Sequence, residues 1–270
     1  MPHNEPGPPA TSRALAEKAW AAVREPLDRQ LSPLGLRAIA ALDPKPGERV
    51  LDVGCGAGQT VVQLAEAVGP AGEVVGIDIA PGLLKIARAR SAQHEHVNFM
   101  EGDAQTSDLP AEYFDAIFSR FGVMAFKDPV AAFDNLRRGL KPGGRLGFVC
   151  WRSLAENELD LLPLRAAGLE GRVDMTPFAF EDPERVRGVL HAAGFDQVAV
   201  ERHDQSVESG SLDAMLEVVL SVGALGRILR ENPSLRDGAE GPVRRALAAR
   251  EGNLKAATWI VTASAAPDGR

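Results

Sequence analysis

The chain has 270 residues, 45% of them apolar, which is enough to bury one large core with a modest cap. With 30 basic against 37 acidic residues it carries a net charge of -7, which repels phosphate backbones and anionic bilayers unless a local patch overrides it. The basic pairs Arg137-Arg138 and Arg244-Arg245 read as solvated helix faces, so nucleic acid is not expected as a partner.

Residues 1–12 are Pro-rich and polar, unlike a charged-then-apolar signal, and are expected to fray. In 11–42, Leu15, Ala19 and Val23 recur at helical spacing, with Pro26 and Pro33 as interruptions, which predicts two or three short helices. From Arg49 the pattern changes. Short runs rich in Val, Ile and Phe alternate with helical stretches of about ten to fifteen residues, the mark of βαβ units on a parallel sheet.

The first run, Val50-Leu51-Asp52-Val53, ends in Gly54-Cys55-Gly56-Ala57-Gly58 and passes into a helix, 59–68, with Val61, Val62, Leu64, Ala65 and Val68 on one face. A second strand, 74–79, closes in a carboxylate, and Pro81 opens a helix that turns Lys85, Arg88 and Arg90 to solvent. A third strand, 97–100, ends at Gly102-Asp103, and a fourth covers 114–119. Asp128-Pro129 starts a helix with a Val130, Phe133, Leu136, Leu140 stripe, which Lys141-Pro142-Gly143-Gly144 stops before a fifth strand, 146–151. Asp182-Pro183 starts another, ending at Gly194 ahead of a sixth strand near 198–200. Helical segments at about 211–230 and 233–250 precede a last strand, 257–263. The longest apolar stretch, about 215–229, is broken by Glu217 and Arg227 and falls short of the ~20 residues a bilayer requires, so no membrane span is expected. The two cysteines, Cys55 and Cys150, lie in separate apolar segments without metal-ligand spacing; no metal site or disulfide is expected, and a reducing, cytoplasmic setting fits.

Glycines at 54, 56 and 58 let the backbone turn tightly and approach a ligand that a Cβ would exclude. The dinucleotide pattern G-x-G-x-x-G wants its last glycine where Gln59 stands. Asp52, just before the turn, repels a pyrophosphate but attracts an ammonium, so the ligand is expected to carry an amino group rather than a diphosphate. Asp78, about twenty residues beyond Gly58, stands where a carboxylate accepts from ribose hydroxyls, and Asp103 where one accepts from an adenine amino group. Each Asp alone has a turn or cap as its alternative; three in register with the glycine loop favour a ligand.

The chain resembles class I S-adenosylmethionine-dependent methyltransferases, and is similar to the ubiquinone and menaquinone biosynthesis C-methyltransferases. The resemblance rests on the run from Val50 through Gly58, on Val75-Gly76-Ile77-Asp78, Gly102-Asp103-Ala104, Phe114-Asp115-Ala116-Ile117 and Leu140-Lys141-Pro142-Gly143-Gly144. It covers about 46–151 and the general layout beyond. It implies a Rossmann-like α/β fold, a seven-stranded mostly parallel sheet with helices on both faces and an antiparallel last strand. It also implies that Asp52, Gly54, Gly56 and Gly58 face the methionine end of the cofactor and that Asp78, with Ile79 beside it, holds the ribose. Asp103 and Ala104 then contact the adenine, and the turn after Ser119 touches the methionine backbone. S-adenosyl-L-methionine is the expected cofactor.

About fifty residues separate the sixth and seventh strands where a minimal fold has a hairpin, and a connection of that length is usually functional. The expected organisation is an N-terminal helical cover, 1–42, and a methyltransferase domain, 43–270, with lid segments at 153–180 and 205–253 forming a helical cap. Methyl transfer is an in-line displacement that depends on alignment and dryness, so no nucleophile is required and no general base is nominated; His94, His96, His191 and His203 read as structural. Arg120, Phe121, Trp151 and Arg152, at the ends of the fourth and fifth strands, are the candidates to face the acceptor. Arg120 either holds an acidic group or pairs with Glu156 or Glu158. Met124, Phe126, Met175, Phe178 and Phe180 are expected to add apolar surface, in the core or near the mouth, which favours a small apolar or aromatic acceptor. The alternatives are a cofactor-binding protein of this fold with a non-methylating role and a nicotinamide-dependent oxidoreductase. Oligomeric state is not legible.

Overall fold

Fully buried strands read as continuous apolar runs, and β1 (Arg49–Val53), β2 (Glu73–Asp78) and β4 (Phe114–Arg120) do so because helices flank the parallel sheet. A computed structural model of the chain describes residues 10–266; residues 1–9, most of the segment expected to fray, lie outside them. With β3 (Val97–Glu101), β5 (Leu140–Trp151), β6 (Phe195–Val207) and β7 (Leu254–Ala265) these strands form one seven-stranded sheet in the order β3-β2-β1-β4-β5-β7-β6. The pairs β3–β2, β2–β1, β1–β4 and β4–β5 are parallel, whereas β7 runs antiparallel to β5 from Arg145↔Ser264 to Trp151↔Thr258. The strand order reverses between β1 and β4, and such a reversal opens a crevice at the carboxyl ends of the two strands.

The described chain divides into two compact units. The first is formed by 31–158, 175–207 and 255–266 and contains the sheet with α3 (Gln59–Val68), α4 (Pro81–Arg90), α5 (Pro129–Gly139) and α7 (Pro183–Ala192). Its core centres on Phe133 of α5, whose ring lies 5.7 Å from that of Phe148, 6.2 Å from Phe180 and 6.4 Å from Phe195. Asp128 caps α5 by accepting from the Ala131 N–H at 3.0 Å, and Asp182 caps α7 by accepting from Glu184 at 2.9 Å. The second unit, 10–30, 159–174 and 208–254, is helical: α1 (Ala10–Ala22), the start of α2 (Arg24–Leu42), most of α6 (Glu158–Ala167), α8 (Leu212–Ser221), α9 (Gly223–Glu231) and α10 (Arg236–Ala248). Met215, Leu216, Val219, Leu225, Ile228, Val243 and Leu247 are buried in it.

Several elements differ from the sequence reading. Pro33 does not end α2, and Pro26 occupies its first turn, where a missing N–H costs nothing. The segment expected to be one helix over 211–230 breaks between α8 and α9, because Val222 is extended and Gly223 takes φ +70, a left-handed geometry that glycine adopts without strain. The fifth strand begins at Leu140 rather than 146, since Leu140 pairs with Phe114 ahead of an irregularity in the β4–β5 register. The sixth runs over Phe195–Val207, well beyond 198–200, with mixed exposure that hid its length.

Phe133 touches four other rings and is fully buried, so Phe133→Ala is expected to lower stability by about 3–5 kcal/mol through lost burial and a residual cavity. Chemical denaturation followed by tryptophan fluorescence measures this; a loss below about 1 kcal/mol would show that the aromatic cluster does not hold the sheet unit together.

Candidate active site

Two turns meet at the crevice between β1 and β4. Gly54 has φ +71, and a Cβ built on it would stand 2.7 Å from Gly122 Cα; one on Gly122 would stand 2.4 Å from the Val53 carbonyl oxygen. No larger residue fits at either place without moving backbone. The fully buried Ser119 ties the turns together, its hydroxyl donating to Val53 O at 2.8 Å and accepting from the Gly122 N–H at 3.1 Å. Gly58, at φ +80, ends the first turn against Ala87 of α4.

Asp52 lies under this junction with 0% exposure. Its Oδ2 accepts from the Thr60 hydroxyl, in the first turn of α3, at 2.5 Å, while Oδ1 has no hydrogen-bond partner among the described residues. Burial pushes its pKa up to about 7, against the opposing effects of the Thr60 hydrogen bond and the Arg120 charge and with a smaller push from Asp78. A buried carboxylate with one unbonded oxygen is a receptor for a cation or a donor.

Asp78 closes β2 and is half-buried. Its Oδ2 accepts from the Gly56 N–H at 2.8 Å and its Oδ1 from the Ala80 N–H at 2.9 Å, so it braces the glycine turn and the start of α4 together. Ile79 is 45% exposed beside it, an apolar side chain left open next to a polar turn. Asp103 lies two residues past β3 and is exposed; its Oδ1 accepts from the Gln105 N–H at 2.9 Å, and Ala104 is buried behind it.

At the end of β4, Arg120 donates from Nη1 to Gln59 Oε1 across the start of α3. Phe121 takes φ +62, unusual for a bulky side chain and strained by about 1 kcal/mol or more, and its ring stacks on Trp151 at 4.0 Å with 18° between planes. Trp151 closes β5, and its backbone N–H points at Met124 Sδ at 3.5 Å. Arg152 is only 1% exposed: it pairs with Glu156 and Asp204 and lies over the Trp259 ring at 5.2 Å, so its charge is directed into the sheet unit. Glu156, one of the partners considered for Arg120, is thus bound to Arg152 and also to Arg202 at 3.3 Å. Met124, Phe178 and Phe180 are buried and Met175 is exposed. His191, in the last turn of α7, has Nδ1 3.1 Å from the Phe195 carbonyl, and His96 has Nε2 3.2 Å from that of Ala65.

The structure therefore brings together Asp52, the three glycines, Asp78, Ser119, Arg120 and, at the adjoining strand ends, Phe121 and Trp151. Sequence reasoning missed Thr60, Gly122 and Gly35, whose absent side chain leaves room for Arg120: a Cβ there would stand 3.0 Å from Arg120 Cδ. Gly122 follows a strand end as Gly54 does, a signal that was available; Thr60 and Gly35 carry none in one sequence.

Residues 50–144 match the family model described as a methyltransferase domain. The chain is 39% identical to aklanonic acid methyltransferase DauC of Streptomyces sp. (strain C5) over 43% of this chain and 54% of that protein, so the match spans about half the length of that relative. It is 32% identical to nocamycin O-methyltransferase of Saccharothrix syringae over 68% of this chain and 72% of that protein. Demethylmenaquinone methyltransferase of Staphylococcus carnosus is 27% identical over 61% of this chain and 74% of that protein. Among solved structures, phosphoethanolamine N-methyltransferase 2 of Haemonchus contortus, in complex with S-adenosyl-L-methionine, has the same fold, with a TM-score of 0.57 at 20% identity over 87% of this chain and 52% of that one. Strand order, the glycine crevice and the length of the match to the nocamycin enzyme agree: the chain belongs to the S-adenosylmethionine-dependent methyltransferase family.

Proposed function

We propose that the chain transfers the methyl group of S-adenosylmethionine to a small apolar or aromatic molecule by in-line displacement. One observation carries this reading: Asp52 is fully buried beside the glycine turn, with one carboxylate oxygen that has no hydrogen-bond partner among the described residues. The residues present fit the cofactor. Oδ1 of Asp52 suits its ammonium, Gly56 leaves the backbone of the turn open, since a Cβ there would meet nothing within 4 Å, and the Asp78 carboxylate at the end of β2 suits the two ribose hydroxyls. Ile79 offers an apolar surface for the adenine, and the exposed Asp103 carboxylate an acceptor for its amino group.

When bound, S-adenosylmethionine supplies an electrophilic methyl that needs no covalent protein intermediate. The chain's own work is then to orient and to exclude water. Thr60 fixes the rotamer of Asp52, Ser119 and Gly122 hold the two turns together, and the Phe121–Trp151 stack presents a flat apolar surface at the adjoining strand ends. That stack supports a flat, apolar acceptor, as do relatives named for aklanonic acid, nocamycin and demethylmenaquinone. The family match covers 50–144, and the expected lid segments at 153–180 and 205–253 and the expected N-terminal cover lie outside it. Nucleic acid is not the partner, given the acidic balance. Two buried free thiols, Cys55 and Cys150, support a reducing cytoplasm, and among the described residues no helix is long and apolar enough to cross a membrane.

Incubation with phenols, quinols, indoles and amines is expected to yield S-adenosylhomocysteine and a methylated product with at least one apolar ring compound; cofactor binding without product across the set would favour the non-methylating reading. Asp78→Ala is expected to weaken S-adenosylhomocysteine binding about ten- to a thousandfold with kcat nearly unchanged, because ribose contacts are equal in ground and transition states. Unaltered affinity in a folded variant removes the ribose role. Asp52, at about 7, is half neutral near physiological pH. Below that value the carboxyl carries a proton that an ammonium ligand must displace, so affinity is expected to fall about tenfold per pH unit as pH drops from 7 to 5. Titration calorimetry across that range checks it, and a flat profile would disconnect Asp52 from the ammonium.

A further inference from the structure

One side chain joins the turn after β3 to the start of α5. Asp103 Oδ1 accepts from the Gln105 N–H at 2.9 Å, and Gln105 Oε1 accepts from the Asp128 N–H at 3.0 Å. Asp128 in turn caps α5 through the Ala131 N–H at 3.0 Å. The turn that begins this chain of bonds is also held from behind. The Asp103 carbonyl accepts from the N–H groups of Thr106 and Ser107, and Asn135 of α5 donates from Nδ2 to the carbonyls of Ala104 at 3.0 Å and Ser107 at 2.9 Å. Residues 103–107 therefore move as one piece, and Gln105 reaches out of it.

The segment 121–128 is fixed at both ends. At its start the Phe121 N–H donates to the Val149 carbonyl at 3.0 Å and the Ser119 hydroxyl holds the Gly122 N–H; at its end Gln105 holds Asp128. Between these anchors lie Met124, facing the backbone N–H of Trp151, and Phe126, whose ring meets that of Phe133 edge-on at 5.9 Å. Asp128 is exposed, and water satisfies an exposed N–H equally well, so the fold does not require Gln105 at that place. What the bond supplies is a connection. We propose that Gln105 is a positioning residue that links the adenine end of the cofactor to the acceptor-side segment 121–128, so that the segment is set once the cofactor is seated. The inference rests on the reading that Asp103 and Ala104 meet the adenine: a ligand that fixes the Asp103 carboxylate fixes the Gln105 backbone bonded to it, and through Oε1 the N-cap of α5.

Hydrogen exchange read by mass spectrometry tests the link without any acceptor. Peptides covering 102–107 and 124–132 are followed with and without saturating S-adenosylhomocysteine in the wild-type chain, in Gln105→Met, which keeps the length of the side chain and loses the acceptor oxygen, and in Gln105→Glu, which keeps that oxygen. In the wild-type chain the ligand is expected to slow both peptides, 124–132 by about tenfold, the worth of one hydrogen bond. In Gln105→Met the slowing at 102–107 is expected to persist while that at 124–132 falls below about threefold, and Gln105→Glu is expected to keep it above about fivefold. Comparing each protein with and without ligand cancels any general loosening by the substitution, and Gln105→Ala serves if Gln105→Met does not fold. Equal slowing of 124–132 in Gln105→Met and the wild-type chain overturns the proposal, as does a wild-type chain in which the ligand slows 102–107 alone. Absence of slowing at 102–107 in the wild-type chain would instead overturn the adenine reading beneath it.

Discussion

The contact between the backbones of Gly54 and Gly122 is the constraint on which the site depends. Parallel strands separated by a reversal of order tend to diverge at their carboxyl ends, and here the two departing turns are drawn to van der Waals contact and pinned by one hydroxyl, Ser119. Everything with chemical capacity is fixed relative to that pin. Asp52 lies under it, α3 begins beyond it, and Phe121 is forced into a left-handed backbone immediately before Gly122, which throws its ring onto Trp151. The strain at Phe121 is a cost of the close approach, offset by the buried Ser119 bonds and by the aromatic stack.

The same pin sets the electrostatics. A carboxylate with no exposure at the end of a hydrophobic strand is costly to ionise, and burial, with a smaller push from Asp78, raises the pKa of Asp52 to about 7. The Thr60 hydroxyl and the Arg120 charge recover part of its acidity, leaving a group that is poised rather than committed. A ligand that supplies a positive charge completes it. Such incompleteness in an otherwise satisfied interior is what distinguishes a binding site from a structural ion pair such as Arg145–Glu48, whose partners meet at 2.7 Å and meet each other's needs.

Much of this was legible in sequence because it is local. The run Val50 to Gly58 encodes strand, turn and helix in consecutive residues, and Asp78 ends an apolar run whose length marks a buried strand. The antiparallel β7 and the methyltransferase fold came through resemblance rather than periodicity. What was hidden depends on contacts across the fold. Arg152 and Arg120 both follow apolar strands, and nothing in their neighbourhood says that one is buried against Asp204, about fifty residues on, while the other reaches Gln59. The break at Gly223 was obscured because apolar residues continue on both sides of it, so composition alone read one helix. Likewise β6 carries charged and polar residues through most of its length, and only the central Val198 and Val200 showed above that background.

The position of β7 has a consequence for how the chain is made. In spatial order it stands between β5 and β6, yet it is the last strand in sequence. While the chain is being synthesised, β6 therefore has no sheet neighbour to join, and β5 presents an open, apolar edge until residues 254–265 have emerged. During that interval the nascent protein carries unpaired strand edges of the kind that recruit other chains. The charged residues spread along β6, Glu201, Arg202 and Asp204 among them, guard against such pairing in one of the two exposed strands; β5 has a charge in the paired stretch only at its start, Arg145, and from Leu146 through Cys150 it relies on the arrival of β7.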